Sequence, residues 1–415
     1  MPQFIRLGFF LAIRQVRRAS KWTTGLIIFV MTLTFLNLVV VSGILVGLIQ
    51  GAVEANKQYY TSDIIVSTLE KKNYIEQSPR IIDIIRAMPE VSALSARYLS
   101  SGRVEAGYKT AAKEEDIDSA GAPFVGIDPV AEDNLTGISD FVIDGEFLEP
   151  NDYDEILLGS YLLTEYFPVE TASFPTLDNI GVGDKVRITI GDIQREMTVK
   201  GIVRSKVDEL SYRVYFTENQ LRELIGRDDY NVGEISARLV PGSDPVAFKE
   251  ALLRAGIGEY ARVQTFEDAQ PKFLQDIKDT FALLGNMISS VGLVVASITI
   301  FIVIFINAIT RRKFIGILKG IGVSGRTIEA SYVFQSFFYA ACGSFIGLLI
   351  LYGFLEPFIS AHPINFPFSD GILVAPVDST VIKILILVVT TIIAGYIPAR
   401  MIVRRNTLDS ILGRN

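Results

Sequence analysis

Residues 23–49 read TTGLIIFVMTLTFLNLVVVSGILVGLI, 27 positions without a charge. About 20 apolar residues cross a hydrocarbon core of about 30 Å, so this run predicts a membrane-spanning helix. Residues 280–310 and 330–355 are uncharged over 31 and 26 positions, and 384–399 over 16. The last lengthens if Lys383 snorkels outward at its start. Four spans are expected, near 23–50, 281–310, 330–355 and 380–400. The first 22 residues do not read as a cleaved signal peptide. The apolar run behind them exceeds the ~7–15 residues of a signal core, and no small-x-small cleavage site closes it.

Composition agrees. Of 415 residues, 49% are hydrophobic and 20% charged, against about 25% charged in an ordinary soluble globule. Disorder, collagen and coiled coil are excluded. The single cysteine, Cys342, forms no internal disulfide or Cys-rich metal site, and the single histidine, His362, removes His-pair zinc sites and a Ser-His-Asp triad. A net charge of −7 argues against nucleic-acid binding.

Cations orient the spans. Arg6, Arg14, Arg17, Arg18 and Lys21 precede the first. Arg311, Arg312, Lys313, Lys319 and Arg326 lie between the second and third, and Arg400, Arg404, Arg405 and Arg414 close the chain. Only Glu329 and Asp409 oppose them, so the positive-inside rule places both termini in the cytoplasm of a multi-pass cell (inner) membrane protein. Residues 51–280 hold 24 Lys+Arg and 41 Asp+Glu, a net −17, and are expected outside. The fold class is an α-helical membrane protein with four transmembrane helices plus a mixed α/β extracytoplasmic domain inserted between helices one and two. Its divisions are 1–22, 23–50, 51–280, 281–310, 311–329, 330–355, an external loop 356–379, 380–400 and a cytoplasmic tail 401–415. Basic residues at helical spacing within 1–22, with Trp22 at the water boundary, predict a cytoplasmic interfacial amphipathic helix, the alternative being a plain extension of the first span.

Within 51–280, strands are expected at 63–69, 91–104, 124–127, 185–190, 196–204, 213–216, 234–239 and 262–265. Helices are expected at 79–88, 159–167, 218–225 and 245–255. Strand–helix–strand units at both ends flank a β-richer middle, which suggests an insertion of about 100 residues into one α/β subdomain. The acidic runs Lys113-Glu114-Glu115-Asp116 with Asp118, and Asp152, Asp154 and Glu155, suit solvated loops better than cation sites and lack EF-hand spacing.

The loop between spans two and three reads Arg311-Arg-Lys-Phe-Ile-Gly-Ile-Leu-Lys-Gly-Ile-Gly-Val-Ser324. Phe314, Ile317, Leu318 and Ile321 share one helical stripe. Gly316, Gly320 and Gly322 permit close approach, Gly322 suits a C-cap, and Ser324 suits the next N-cap. Such a helix either lies on the bilayer or presses into a partner's groove.

This loop resembles the coupling-helix motif of FtsX-like/MacB-like ABC transporter permeases, Arg-x-x-Glu-Ile-Gly-Ile-Leu-Lys-Ala-Ile-Gly-Ala-Ser. The match takes in Arg311, Ile315, Gly316, Ile317, Leu318, Lys319, Ile321, Gly322 and Ser324, with Phe314 where the family usually has Glu. Ala394-Gly-Tyr-Ile-Pro-Ala-Arg400 followed by Leu408-Asp-Ser-Ile411 is similar to the family's closing segment, with Ser410 where Pro is frequent. The resemblance implies a four-span half-transporter that pairs with a second permease protomer, identical or not. Phe314, Ile315, Gly316, Ile317, Leu318, Lys319, Gly322 and Ser324 would contact a partner ABC ATPase. No Gly-x-x-x-x-Gly-Lys-Ser/Thr occurs, so this chain lacks a P-loop, and the resemblance implies ATP on the partner and no cofactor here. No nucleophile–base–orienter set is visible, so an enzyme is not expected. The implied task is to export or extract a lipophilic, lipoprotein or peptide/drug cargo, with an external adaptor or channel. The alternative is a signalling permease that activates a cell-wall hydrolase. Within the membrane, Gly43, Gly47 and Gly51, and Gly343 with Gly347, suit helix packing inside the chain or a dimer interface. Asn37 would line a substrate path or bond a neighbouring helix, and Cys342 reads as packing.

Overall fold

The computed structural model describes residues 3–109, 117–167, 175–270, 272–366 and 369–404. The 113–116 acidic run and the 408–411 tail motif lie outside the described residues. The chain divides into two compact units. One comprises Met1–Gln50, Asp276–Asn365 and Asp370–Asn415, and the other Gly51–Gln275 with Phe366–Ser369.

Among the described residues, four helical runs are long and apolar enough to cross a membrane: Lys21–Thr61, whose residues after Gln50 belong to the second unit, Asp279–Thr310, Gly325–Ala361 and Val377–Val403. The first runs well past the uncharged stretch. Its 41 residues correspond to about 60 Å of helix, twice the hydrocarbon thickness. Two π-helical turns interrupt it, Asn37–Val41 and Lys57–Thr61. Lys383 does not turn outward. Its Nζ donates to Ser42 Oγ of the first helix at 3.1 Å, and the fourth helix begins six residues earlier at Val377.

Small residues set the closeness of these helices. A Cβ on Gly343 would fall 2.4 Å from Met31 Cβ, and one on Gly347 2.2 Å from Phe35 Cδ1. A Cβ on Gly47 would fall 1.9 Å from the carbonyl oxygen of Ile372. The faces of Gly43 and Gly47 are thus covered by segment 372–374, and those of Gly343 and Gly347 by the first helix, all within one chain. Gly51 is half-buried. The helix Gln3–Arg18 packs through Gly8, which touches Ala330, and through Phe9, whose ring meets Phe334 edge-on at 5.4 Å.

Among the described residues, the second unit is built on ten strands: β1 (Ile64–Ser67), β2 (Val91–Ala106), β3 (Asp118–Ile127), β4 (Val142–Gly145), β5 (Glu155–Gly159), β6 (Lys185–Ile190), β7 (Ile193–Val203), β8 (Val214–Thr217), β9 (Glu234–Leu239) and β10 (Arg262–Thr265). The order β10-β1-β9-β2 is an antiparallel sheet. The long β2 then continues into a closed ring, β2-β3-β8-β5-β7-β6 and back to β2. Alternate residues point inward along these strands. Val104, Ala122, Phe124, Leu158, Ile188, Met197, Val199, Val214 and Phe216 all join one buried cluster. The β-rich middle is therefore a six-stranded barrel that shares one strand with the α/β sheet. Closing the ring removes the edges that an open sheet would expose.

One expected element is corrected. Residues 159–167 do not form a helix: Glu155–Gly159 is β5, followed only by a 3-10 turn at Ser160–Leu162. Ile156, Leu157 and Leu158 are buried on both faces, so the run shows no alternation from which its period could be read.

Candidate functional site

The second spanning helix ends at Thr310, and Arg311 breaks it with φ −97 and ψ 12. The nine residues Arg312–Gly320 form a separate short helix. Its end is closed by two crossed hydrogen bonds, from Val323 N to Leu318 O at 2.9 Å and from Gly322 N to Lys319 O at 3.1 Å. That closure requires a left-handed residue, which Gly322 supplies at φ +92 without Cβ strain. Ser324 Oγ then accepts from Thr327 N and starts the helix Gly325–Ile350.

This short helix has two apolar faces rather than one. Ile315 and Gly316 are buried, and Ile315, Leu318 and Val323 join a cluster with Ala308, Ile328, Ala399, Ile402 and Val403. Lys319 Nζ donates to Val403 O at 2.9 Å, placing a cation on the C-terminal carbonyls of the fourth helix. The other face is open: Phe314, Ile317 and Ile321 are 53%, 51% and 72% exposed. A Cβ on Gly320 would meet nothing within 4 Å. Of the expected contact residues, Phe314 and Ile317 stand on the open face with Ile321. Ile315 and Gly316 are buried and Leu318 is half-buried, with Ile315 and Leu318 in the cluster described above. Gly316, expected as a surface glycine, is buried.

Pro398 and Ala399 of the closing segment are buried within the last turns of the fourth helix. Ala399, with Ile402 and Val403, shares a buried cluster with Ile315 of the loop helix.

The other candidates resolve into ordinary contacts. Asp118 accepts from Asp178 N at 2.6 Å. Asp152 and Glu155 pair with Lys200 at 2.5 and 3.2 Å, and Asp154 with Arg195 at 2.6 Å. Among the described residues no group of three or more His, Cys, Asp or Glu side chains is placed to hold a metal ion. His362 stacks on Phe358 with centroids 5.0 Å apart. Asn37 Oδ1 is buried without a partner and faces Gly292, whose Cβ position lies 2.5 Å away.

Sequence reading missed a buried ionic network in the α/β domain. Arg97 on β2 is 1% exposed. It grips Glu132 through Nε to Oε2 (2.9 Å) and Nη2 to Oε1 (2.8 Å), and Glu234 through Nη1 at 2.6 Å. Ser95 Oγ donates to Glu132 at 2.6 Å. Burial alone would push the Glu132 carboxyl up, but the charge and hydrogen bonds of Arg97 hold it below the usual carboxylate range. Burial would likewise lower the guanidinium, and Glu132 and Glu234 more than reverse that.

Among the described residues, four helical runs long and apolar enough to cross a membrane, with a mixed α/β domain that carries a barrel, define a multi-pass membrane protein. Residues 286–407 match the family described as FtsX-like permease C-terminal. The matched segment holds the loop helix and the last three spanning runs nearly complete. The periplasmic region of MacB from Actinobacillus actinomycetemcomitans is similar at 14% identity and a TM-score of 0.37, covering 51% of this chain and 92% of that one. The extracellular domain of the noncanonic ABC-type transporter YknZ from Gram-positive bacteria is similar at 12% identity and a TM-score of 0.33, covering 49% and 98%. No curated protein matches.

Proposed function

We propose that this chain is the permease subunit of an ATP-binding cassette system. ATP hydrolysis on a separate chain is coupled to movements of the α/β domain that export or extract a lipophilic, lipoprotein or peptide/drug cargo. The observation that carries this reading is the loop helix 312–320. One face is fixed to the end of the fourth helix, while Phe314, Ile317 and Ile321 are presented outward. An apolar strip on a rigid short helix fits the groove of a partner and passes a push directly into the spans behind it. The family match over 286–407 supports the same assignment. Two such chains pair, and their interface falls outside the glycine faces that this chain already covers itself.

Purification from mild detergent is expected to yield an ABC ATPase with the chain. An outer-membrane channel alongside it supports export, whereas recovery with a cell-wall hydrolase and without cargo transfer contradicts that part of the proposal.

In the proposed orientation both termini and the loop helix are cytoplasmic and the α/β domain is outside. With Cys342 replaced by serine, Asn73→Cys should react with an impermeant thiol reagent on intact cells, and Lys313→Cys only after lysis. Both positions are exposed. Labelling at 313 but not at 73 on intact cells reverses the topology.

A further inference from the structure

The first helical run ends in the π-turn Lys57–Thr61, and three arginines of the α/β domain close on that turn. Tyr60 sits at its centre. The Arg97 guanidinium lies 5.3 Å and that of Arg213 4.6 Å from the centroid of its ring. Arg97 Nη2 donates to the Tyr60 carbonyl at 3.0 Å, and Arg213 Nη2 to its hydroxyl at 2.6 Å. Arg238 Nη2 donates to Gln58 O at 3.0 Å and also to Leu135 O. Cations here meet the carbonyls left open at a helix C-terminus, where the helix dipole favours them. Aromatic faces add to the attraction.

The arginines come from different parts of the domain. Arg97 is on β2, the strand common to sheet and barrel. Arg213 immediately precedes β8 of the barrel, and Arg238 is on β9 of the sheet. Around them, Tyr59 meets Phe141 edge-on at 4.9 Å, and Lys57 pairs with Asp63 at 3.2 Å. The next residue, Ser62, is 3% exposed and holds φ 61 with ψ −156, a conformation costly for any residue with a Cβ. A chain fixed this firmly on both sides of a strained residue does not act as a loose linker.

We propose that Tyr60 is a positioning residue: a pin that makes the end of the first helix and the whole β-framework one rigid body. A displacement of that helix is then carried into sheet and barrel together instead of being absorbed at residues 57–62. The pin goes beyond the permease reading and stands whether or not an ATPase drives the motion. A clamp of this kind also accounts for the buried position of Arg97. One of its five hydrogen bonds reaches the helix end, while the other four tie it to Glu132, Glu234 and Ser236 within the domain.

The test uses the full chain in detergent with Cys342→Ser and nitroxide labels at Glu54→Cys and Glu250→Cys, both exposed positions. Pulsed electron resonance between them should give one narrow distance distribution. Tyr60→Ala should broaden it roughly two-fold or split it, as expected when a fixed helix end becomes a local hinge. Arg213→Gln keeps the ring and removes one charge-assisted contact, so it serves if the alanine variant does not fold. Broadening by Arg213→Gln with an unchanged thermal midpoint supports the pin. A distribution as narrow as the parent's in folded Tyr60→Ala, or in Arg213→Gln where the alanine variant does not fold, overturns it.

Discussion

Arg97→Leu is expected to lower the thermal midpoint of the α/β domain by about 10–15 °C, from a cost of about 3–5 kcal/mol spread over a domain of this size. Losing one partner of a buried ion pair is far worse than losing the pair. Leucine leaves Glu132 and Glu234, 1% and 6% exposed, without the guanidinium that pairs with both, and Arg213 acts on them only from a distance. The pH dependence has opposite signs in the two proteins. In the parent, Glu132 is held below its usual range, so its contribution is present at neutral pH and lost as pH falls through the folded value. In the variant the same carboxyl is desolvated and unpaired, so protonation on folding stabilises it as pH falls. The gap between the two midpoints should therefore shrink on acidification. Lys249→Ala, which removes an exposed pair with Asp268, is the control and should cost less than about 1 kcal/mol. The measurement is near-ultraviolet circular dichroism of the full chain across pH. A loss for Arg97→Leu no greater than for Lys249→Ala would show that the network contributes nothing.

Ile317→Glu should reduce the affinity for the partner ATPase about 30-fold or more, corresponding to about 2 kcal/mol for an anchor side chain at the centre of an apolar contact. Chain stability should change by less than about 0.5 kcal/mol, since the side chain is half exposed and carries no core contact. Gly320→Trp should act in the same way, by filling the open space beside Ile317. Gly316→Trp tests something else. Its position is buried, so an indole there disturbs the packing of this helix and lowers the midpoint. Pull-down of the ATPase and thermal scans of each purified variant separate these outcomes. Retained ATPase binding by both Ile317→Glu and Gly320→Trp contradicts the docking role of this face.

The spans were legible because a membrane tolerates so few charges that 26 or more uncharged residues have little other use. Their true helical lengths were not. Gln50, Glu54, Asn56 and Lys57 look like the start of a soluble domain, yet the helix continues through them to Thr61 because Ala55, Tyr59 and Tyr60 pack against the barrel. At the end of the domain β9 and β10 alternate apolar with polar residues, whereas β1 at its start was legible as a short continuous apolar run. Barrel closure did not show, since it depends on pairing Val104 with Ile188 across the intervening β3–β5 region. Arg97 was invisible for the same reason. An arginine in an alternating strand reads as solvent-facing until residues 132 and 234 are brought to it. On the loop helix, periodicity gave a stripe through Phe314, Ile317, Leu318 and Ile321. The packed face, with Ile315 and Leu318 three residues apart, was an equally apolar stripe that sequence alone does not rank as inner or outer.

A photo-crosslinking side chain placed at Ile317 in the full-length protein, irradiated in intact membranes, most directly tests whether this helix receives force from an ATPase. Docking gives a single cross-linked product that contains this chain and an ABC ATPase, is lost in Ile317-labelled chains also carrying Gly320→Trp, and is absent when the probe is moved to the exposed Glu250 on the α/β domain. Cross-links to lipid alone, with the ATPase captured instead through Glu250 or not at all, contradict it.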